Sequence, residues 1–246
     1  MLYRRRFLAG LACAGLAPAL AAGRRLLLAA TEYPPYYGSG LARGGPVAEL
    51  SVLALRQAGY EVELQFLPWP RALQAGRDGT ADALIGIWYS AEREHDFLFS
   101  DPMISNRILL CRKQGHGPSH FIGFEALRPY TVGVVRGYAD PPGLAAAGIK
   151  TEAVSEDLQN LRKLLVDRID LALIDGRVAE HLIRHHLPQA RTLLECLEPA
   201  VQEHPQYLAV SRQAADAVAI IAAFNRGLHQ LRISGRYREI AAAGGL

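Results

Sequence analysis

The sequence predicts an α/β protein whose strands alternate with helices and lie mainly in parallel sheets. Short apolar runs suited to buried strands alternate with segments whose apolar residues recur at helical spacing. The 246 residues are 50% hydrophobic and 21% charged, so the chain has enough apolar material for a packed core. At about 100–200 residues per domain, this length fits one large domain or two smaller lobes.

The first half of the chain begins with a strand, a loop and a helix. Residues 26–30 are continuously apolar, as in a buried strand, and the tyrosine- and proline-rich residues 33–38 form a loop. A helix is predicted from Pro46, a residue type favoured in the first turn, to a stop near Gly59. The remaining predicted elements of this half are a strand over 62–66, a helix within 68–79, strands over 81–88 and 108–111, and a polar linker over 114–120.

A second series of strands and helices follows the linker. Its predicted strands cover residues 131–135, 169–174 and 207–210. Its predicted helices are one capped by Ser155, one that carries Val178 and Leu182 and stops at Pro188, and a long C-terminal helix from Ala217. This order continues the α/β pattern to the end of the chain.

The first 22 residues predict export from the cytoplasm. Residues 4–6 are arginines, residues 7–20 form an apolar stretch, and Ala19-Leu20-Ala21 is a small-residue cleavage signal, so we expect a signal peptide cleaved near Ala21 or Ala22. The stretch is shorter than the ~20 residues that a membrane span needs. The arginines followed by Phe7-Leu8 resemble the twin-arginine signal, and an ordinary Sec signal is the alternative.

The charge balance argues against a nucleic-acid binder. The net charge of +3 comes from 27 basic and 24 acidic residues, and three of the basic ones lie in the leader. The mature chain is therefore formally neutral, and no clustered basic face is visible.

Two cysteines and two histidines of the mature chain could form a disulfide or bind a metal. Export permits a disulfide between Cys111 and Cys196, but the sequence does not give their separation, and free buried thiols are favoured. His181 and His185 are four residues apart on a predicted helix and offer two metal ligands without an evident third. We predict a solvated helix face there, with no metal and no cofactor.

One segment carries an ordered set of residue types that is much more specific than the rest. The set is Gly79, Asp82, Ala83, Trp88, Ser90, Glu92, Arg93, Phe99, Ser100 and Pro102. It resembles the first lobe of the family 3 periplasmic solute-binding proteins, which serve polar amino-acid ABC importers. The loop at 33–36, the strand end at 170–175 and the C-terminal residues 224–237 extend the resemblance over nearly all of the mature chain.

This resemblance implies a two-lobed periplasmic binding protein fold of type II. Each lobe would be a mainly parallel sheet flanked by helices, and the ligand would lie in the cleft between the lobes. Lobe 1 would comprise residues 23–112 and 205–246, and lobe 2 would comprise residues 113–204 with the hinge crossings.

The resemblance also implies the ligand contacts. Arg93 aligns with the arginine that clamps the ligand α-carboxylate, and Asp175 with the acid that receives the α-ammonium. An ion pair with neighbouring acids is the alternative for Arg93, and a helix N-cap is the alternative for Asp175. The family often has Gly followed by Thr or Ser in lobe 2, whereas this chain has Gly137-Tyr138, which leaves the Gly137 amide as the expected donor.

Several further residues are expected to line the cleft. Ser90 belongs to the motif, and aromatic rings converging on a cleft suit a ligand with a flat or apolar portion. Packing in the core or at the rim is the alternative for each ring. The four aromatic candidates are Tyr36, Trp69, Trp88 and Tyr138.

The predicted function is capture of a small polar solute, either an amino acid or a related carboxylate, in the periplasm. A monomer would deliver it to a separate ABC permease in the inner membrane, and nothing would be catalysed. Two alternatives remain: an enzyme resembling the cyclohexadienyl dehydratases, with Glu180 or Asp175 as its acid, and a sensing subunit for a membrane receptor.

The twin-arginine signal leads to a first prediction. Replacing Arg4 and Arg5 together with lysine keeps the positive charge but removes the paired guanidinium groups, so precursor is expected to accumulate in the cytoplasm. Fractionation followed by immunoblotting measures this. Mature protein in the periplasm of a strain without the twin-arginine translocase would show that the Sec route is used.

Overall fold

The computed structural model describes residues 23–246, and the predicted signal peptide lies outside the described residues. The strands of the described chain are β1 (Arg25–Ala30), β2 (Glu61–Phe66), β3 (Ala83–Trp88), β4 (Phe97–Phe99), β5 (Ile104–Lys113), β6 (Thr131–Val135), β7 (Lys150–Val154), β8 (Leu171–Asp175) and β9 (Leu194–Ser211). The α-helices are α1 (Pro46–Arg56), α2 (Trp69–Arg77), α3 (Pro142–Ala146), α4 (Asp157–Leu165), α5 (Gly176–His186), α6 (Ala217–Ile233) and α7 (Arg236–Ala243). None of the helices within residues 23–246 has the length and apolar character to cross a membrane.

The strands join into one sheet with parallel ends and an antiparallel centre. Its order is β2-β1-β3-β9-β5-β8-β6-β7, and β4 pairs with β9. At one end β1 is parallel to β2 and β3, and at the other β6 is parallel to β7 and β8. Lobe 1 is built on the first end and lobe 2 on the second, which confirms the predicted two-lobed α/β fold.

Two long antiparallel strands, β5 and β9, connect the lobes. Their register runs from Ile104 opposite Gln206 to Lys113 opposite Leu194. On its other edge, β9 pairs with β3 in lobe 1, and β5 likewise pairs with β8 in lobe 2. The sequence-based boundaries at residues 112 and 204 fall inside these two strands, and they stay a prediction.

Glycine allows the two helices that cover lobe 1 to pack closely. A Cβ atom at Gly227 in α6 would lie 2.1 Å from the carbonyl oxygen of Ala54 in α1. Any side chain at this position would force the helices apart, and the buried Phe224 and Leu228 on the same face would lose contact. The apolar stripe predicted for the C-terminal helix is therefore fixed against α1.

The structure differs from the sequence prediction in several elements. The short elements β4, β7 and α3 were not predicted, and Glu156 rather than Ser155 is the residue before α4, without a capping side-chain bond. The last strand was predicted to begin after Pro205, yet β9 passes through Pro199 and Pro205. Pro199 lies where the β5–β9 register shifts, and Pro205 lies beyond the last pair with β3, so neither interrupts a two-sided ladder.

Cys111 and Cys196 form a disulfide, so the expectation of free thiols was wrong. The two residues lie directly opposite each other in the β5–β9 ribbon, and their Cα atoms are 3.9 Å apart. They are 85 positions apart in the sequence. Their proximity depends on a long-range register, which the sequence pattern does not reveal. The bond ties together the two crossing strands.

Removing this disulfide is expected to destabilise the protein. Replacing both Cys111 and Cys196 with alanine frees a long loop in the unfolded chain, and loss of a native disulfide costs about 2–5 kcal/mol. Urea unfolding of the double variant measures the loss, and dithiothreitol should lower the stability of the wild type alone. Equal stability of the oxidised and reduced wild type would contradict the prediction.

Candidate functional site

The cleft between the lobes contains two adjoining cavities. The first is lined by Trp69 and Arg93 from lobe 1. The second is lined by acids of lobe 2. Tyr33, Trp88 and Tyr138 line both cavities, so these three rings form the wall between them.

Arg93 is a buried cation at the first cavity. Its residue exposure is only 5%, and its guanidinium donates to the carbonyl oxygens of Trp88 at 2.6 Å and Gly137 at 2.9 Å. Burial lowers its pKa to about 10, so it stays charged at neutral pH. Within residues 23–246 it makes no salt bridge, because Arg77 takes the neighbouring Glu92 and Asp96. The ion-pair alternative for Arg93 was therefore wrong.

Local structure positions this arginine. The Ser90 hydroxyl accepts a hydrogen bond from the Arg93 amide at 3.3 Å and holds the turn that follows β3. The guanidinium lies over the Trp69 ring, 5.3 Å from its centroid. Ser90 thus supports the first cavity without lining it.

The Gly137 carbonyl joins the two lobes. It accepts hydrogen bonds from Trp69 Nε1 at 2.8 Å and from Arg93, both in lobe 1. Gly137 has a φ of 79°, in the left-handed region where glycine is favoured. The carbonyl, rather than the amide expected to serve a ligand, faces lobe 1.

Tyr138 places an aromatic ring in the centre of the cleft. Its ring centroid lies 6.2 Å from Tyr33, 6.2 Å from Trp69 and 5.2 Å from Trp88, in edge-to-face arrangements. Its hydroxyl donates to Asp157 Oδ2 at 3.2 Å. Tyr138 therefore occupies the space between the buried cation of lobe 1 and an acid of lobe 2.

Asp175 lies at the second cavity, but both of its oxygens are engaged. Oδ1 accepts from the amides of Arg177 and Val178, as predicted for a helix N-cap, and the Tyr36 hydroxyl contacts both oxygens. Oδ2 also accepts from Asn106 Nδ2 at 2.9 Å and from the Arg107 amide at 3.0 Å. Its predicted contact with a ligand ammonium stays a prediction.

Tyr36 and Trp88 meet the polar network of the connecting strands. Tyr36 is 1% exposed and lines neither cavity. Trp88 Nε1 donates to Asn106 Oδ1 at 2.7 Å, and the Trp88 ring stacks on His204 at 4.6 Å. Burial, and then the charge of Arg93, lower the pKa of His204. No sequence pattern indicated Asn106 or His204, because both lie outside the strands predicted over 108–111 and 207–210.

Asp157 is a cleft residue that sequence reasoning missed. It is the first residue of α4, is 6% exposed and lines the second cavity. Oδ2 accepts from Tyr138, whereas Oδ1 is buried and has no hydrogen-bond partner in the described chain. Burial raises its pKa to about 7. An acid in the first turn of a helix is ordinary, so its position alone gave no indication of this environment.

The predicted histidine pair lies away from the cleft cavities that Arg93 and Asp175 line. The rings of His181 and His185 are 4.4 Å apart on α5. Residues 23–246 contain no group of three or more side chains placed to hold a metal ion.

This geometry defines a two-lobed binding protein with its site between the lobes. The chain belongs to the bacterial extracellular solute-binding proteins, family 3, whose sequence profile matches residues 28–243. That membership confirms the predicted family. No curated protein matches the chain in sequence.

Solved structures of the same fold include binding proteins and a sensor. A histidine kinase sensor domain similar to periplasmic binding proteins is 24% identical, with a TM-score of 0.79 over 89% of this chain and 95% of that one. An ancestral arginine-binding protein bound to arginine is 20% identical, with a TM-score of 0.75 over 89% and 97%. The GluR0 ligand-binding core from Nostoc punctiforme, in complex with L-glutamate, is 20% identical, with a TM-score of 0.73 over 88% and 97%. At these identities the likeness establishes the fold.

The buried Asp157 leads to a prediction about stability and pH. Its pKa is about 7 in the folded state and near 3.9 when unfolded, so the wild type should lose stability relative to Asp157→Asn as pH rises from about 4 to about 7. The difference should reach on the order of 4 kcal/mol and stay constant above pH 7.

Urea unfolding of both proteins between pH 4 and pH 8 measures this difference. Glu125→Gln removes an exposed charge of lobe 2 that lines neither cavity beside Asp157 and should leave the pH profile unchanged. Parallel profiles for the wild type and Asp157→Asn would show that Asp157 has an ordinary pKa.

Proposed function

We propose that this protein captures a small solute that carries a carboxylate, most simply an amino acid, and delivers it to an ABC importer. The observation that carries this proposal is the buried guanidinium of Arg93, which donates to two neutral carbonyls and forms no salt bridge within residues 23–246, since the nearby Glu92 pairs with Arg77. A buried cation without a counterion is costly. A ligand carboxylate would supply the missing charge and match the planar donors of the guanidinium.

Lobe closure would couple to this contact. Gly137 of lobe 2 bonds to the same guanidinium that would hold the ligand of lobe 1, so the closed arrangement and the ligand share one group. The β5–β9 ribbon provides the hinge, and a ligand with greater affinity for the closed form would shift the population towards it. The permease would then distinguish the closed form from the open one.

The similar structures support an amino acid as the solute. The ancestral relative holds arginine, and the Nostoc punctiforme core holds glutamate. Both ligands carry an α-carboxylate, and this is the group for which Arg93 is suited. We infer that the mature protein acts as a monomer in the periplasm, after removal of the leader.

We infer that nothing is catalysed in the cleft. The two acids that a dehydratase would use are already engaged, because Asp175 caps α5 and Glu180 pairs with Arg184 on the exposed side of the same helix. Neither is positioned as a free proton donor beside Arg93.

A ligand-sensing role is the second candidate, because a histidine kinase sensor domain has the same fold. Uptake of radiolabelled solute by cells that lack the protein separates the two. Lost uptake supports the importer, whereas normal uptake with a lost transcriptional response supports the sensor.

The role of Arg93 can be tested once a solute is found. A thermal-shift screen of amino acids and small carboxylates identifies it, since a ligand at 100 times its Kd adds ~2.7 kcal/mol of stability. Arg93→Ala should then weaken binding by about 2–5 kcal/mol, or roughly 30-fold to several-thousand-fold. Arg93→Lys should recover part of the affinity, because it keeps the charge but loses the planar fork.

Calorimetry on the folded variants measures these changes. Arg71→Ala is the matched control, because it removes an exposed arginine of α2 that lines neither cleft cavity. Unchanged affinity in Arg93→Ala would remove the main support for a carboxylate ligand.

A further inference from the structure

Two buried charges face the cleft from opposite lobes without compensation. In the described chain the Arg93 guanidinium of lobe 1 donates to carbonyls and forms no salt bridge, and Asp157 of lobe 2 has one oxygen without any hydrogen-bond partner. Tyr138 contacts both regions, because its ring lines the Arg93 cavity and its hydroxyl bonds to Asp157. The cleft therefore offers one free positive and one free negative group.

Asp175 is poorly suited to be the free negative group. Its oxygens accept from two helix amides, the Arg107 amide, Asn106 and Tyr36. A ligand ammonium would have to displace contacts that hold α5 and the connecting strand in place. Asp157 has a single partner, the Tyr138 hydroxyl, and needs no such disruption.

We propose that Asp157 is the acid that contacts a cationic nitrogen of the ligand, at a position in lobe 2 other than the Asp175 that the family resemblance implies. This inference rests on the proposed function, in which Arg93 binds the carboxylate. It adds a contact to the cationic nitrogen of the ligand and assigns that contact to the first residue of α4.

Before a ligand binds, the Tyr138 hydroxyl would occupy the position of the ligand nitrogen at Asp157. Its hydroxyl donates to Asp157 in place of a ligand N–H, and its ring fills the space among Tyr33, Trp69 and Trp88. The three rings that surround Tyr138 would present their faces and edges to an incoming ligand, and aromatic faces attract cations. Rotation of Tyr138 away from Asp157 would open the path between the two charges.

The charges around Asp157 reinforce its preference for a cation. Asp140, Asp175 and His204 line the same cavity from other elements. The outer cavity on the other side of Asp157 is lined by further titratable groups, which are Glu32, Glu156 and His186. Of these six groups, four are acids, so a cation entering beside Asp157 meets a net negative surrounding.

The test uses four related probes and three variants. L-arginine has a carboxylate, an ammonium and a guanidinium group. L-citrulline lacks the guanidinium, argininic acid lacks the ammonium, and agmatine lacks the carboxylate. The remaining amino acids, glutarate and succinate complete the panel. The variants are Asp157→Asn, Asp175→Asn and the exposed control Glu125→Gln in lobe 2.

Calorimetry at pH 8 gives the decisive comparison. For every cationic carboxylate that the wild type binds, Asp157→Asn should lower affinity about 30-fold or more, as expected for loss of one partner of a buried charge pair. Glu125→Gln should change affinity less than about threefold, because its exposed charge lies outside both cavities beside Asp157 and is screened. Asp175→Asn should lower thermal stability while the folded protein keeps its preference for cationic ligands.

Proton release provides a readout that a merely structural role would not change. With a pKa of about 7 in the free protein, Asp157 is mostly protonated at pH 6, and a bound cation would ionise it. Binding at pH 6, measured in two buffers of different ionisation enthalpy, should release close to one proton and be about tenfold weaker than at pH 8. Both effects should vanish in Asp157→Asn, whereas proton changes that arise elsewhere in the protein would remain.

Each result decides between the two proposals. Equal losses in Asp157→Asn and Glu125→Gln, or a loss of cation preference in Asp175→Asn alone, would overturn the role of Asp157. Binding of glutarate or succinate but of no cationic carboxylate would overturn this inference and leave carboxylate capture in place. Binding of agmatine but of no carboxylate would overturn the role of Arg93, and binding of no member of the panel would overturn both proposals.

Discussion

The contact between the Arg93 guanidinium and the Gly137 carbonyl is the interaction on which the rest of the cleft depends. It brings a charged group of lobe 1 against the backbone of lobe 2 at 2.9 Å, and Trp69 donates to the same oxygen. A carbonyl is a good acceptor but carries no net charge, so the cation is solvated by dipoles and not neutralised. The closed arrangement is therefore held by a group whose electrostatic requirement is only partly met.

Much of this fold could be predicted from the sequence. The alternation of apolar runs and helical segments predicted the parallel ends of the sheet, and the ordered motif around Arg93 predicted the family. These patterns are local, because each depends on residues within one strand, turn or helix. What could not be predicted depends on register between distant strands. The full length of β9 and the Cys111–Cys196 bond both follow from its pairing with β5 across 85 positions.

The site was predicted in part for the same reason. The structure brings Arg93, Trp69, Trp88 and Tyr138 to one cavity, because each follows directly from a strand end or helix start that the sequence indicated. Asp157 gave no signal, since its sequence neighbourhood resembles any helix start. Its character comes from burial against Tyr138, a residue 19 positions away, and burial at that distance is a property of the tertiary structure.

The departure from the family pattern at Tyr138 is consistent with the proposed role of Asp157. Where the family often has a short hydroxyl, this chain has Tyr138, whose hydroxyl lies farther from the backbone and reaches Asp157. The longer side chain would be a steric obstacle if the ligand contacts remained where the family places them. Tyr138 is no obstacle if the ligand extends to Asp157. The ligand would then replace the Tyr138 hydroxyl at Asp157, whose Oδ1 has no hydrogen-bond partner in the described chain. On either side of Tyr138, the buried Arg93 without a salt bridge and the Asp157 oxygen without a hydrogen bond destabilise the empty protein. Such local costs are typical of functional sites.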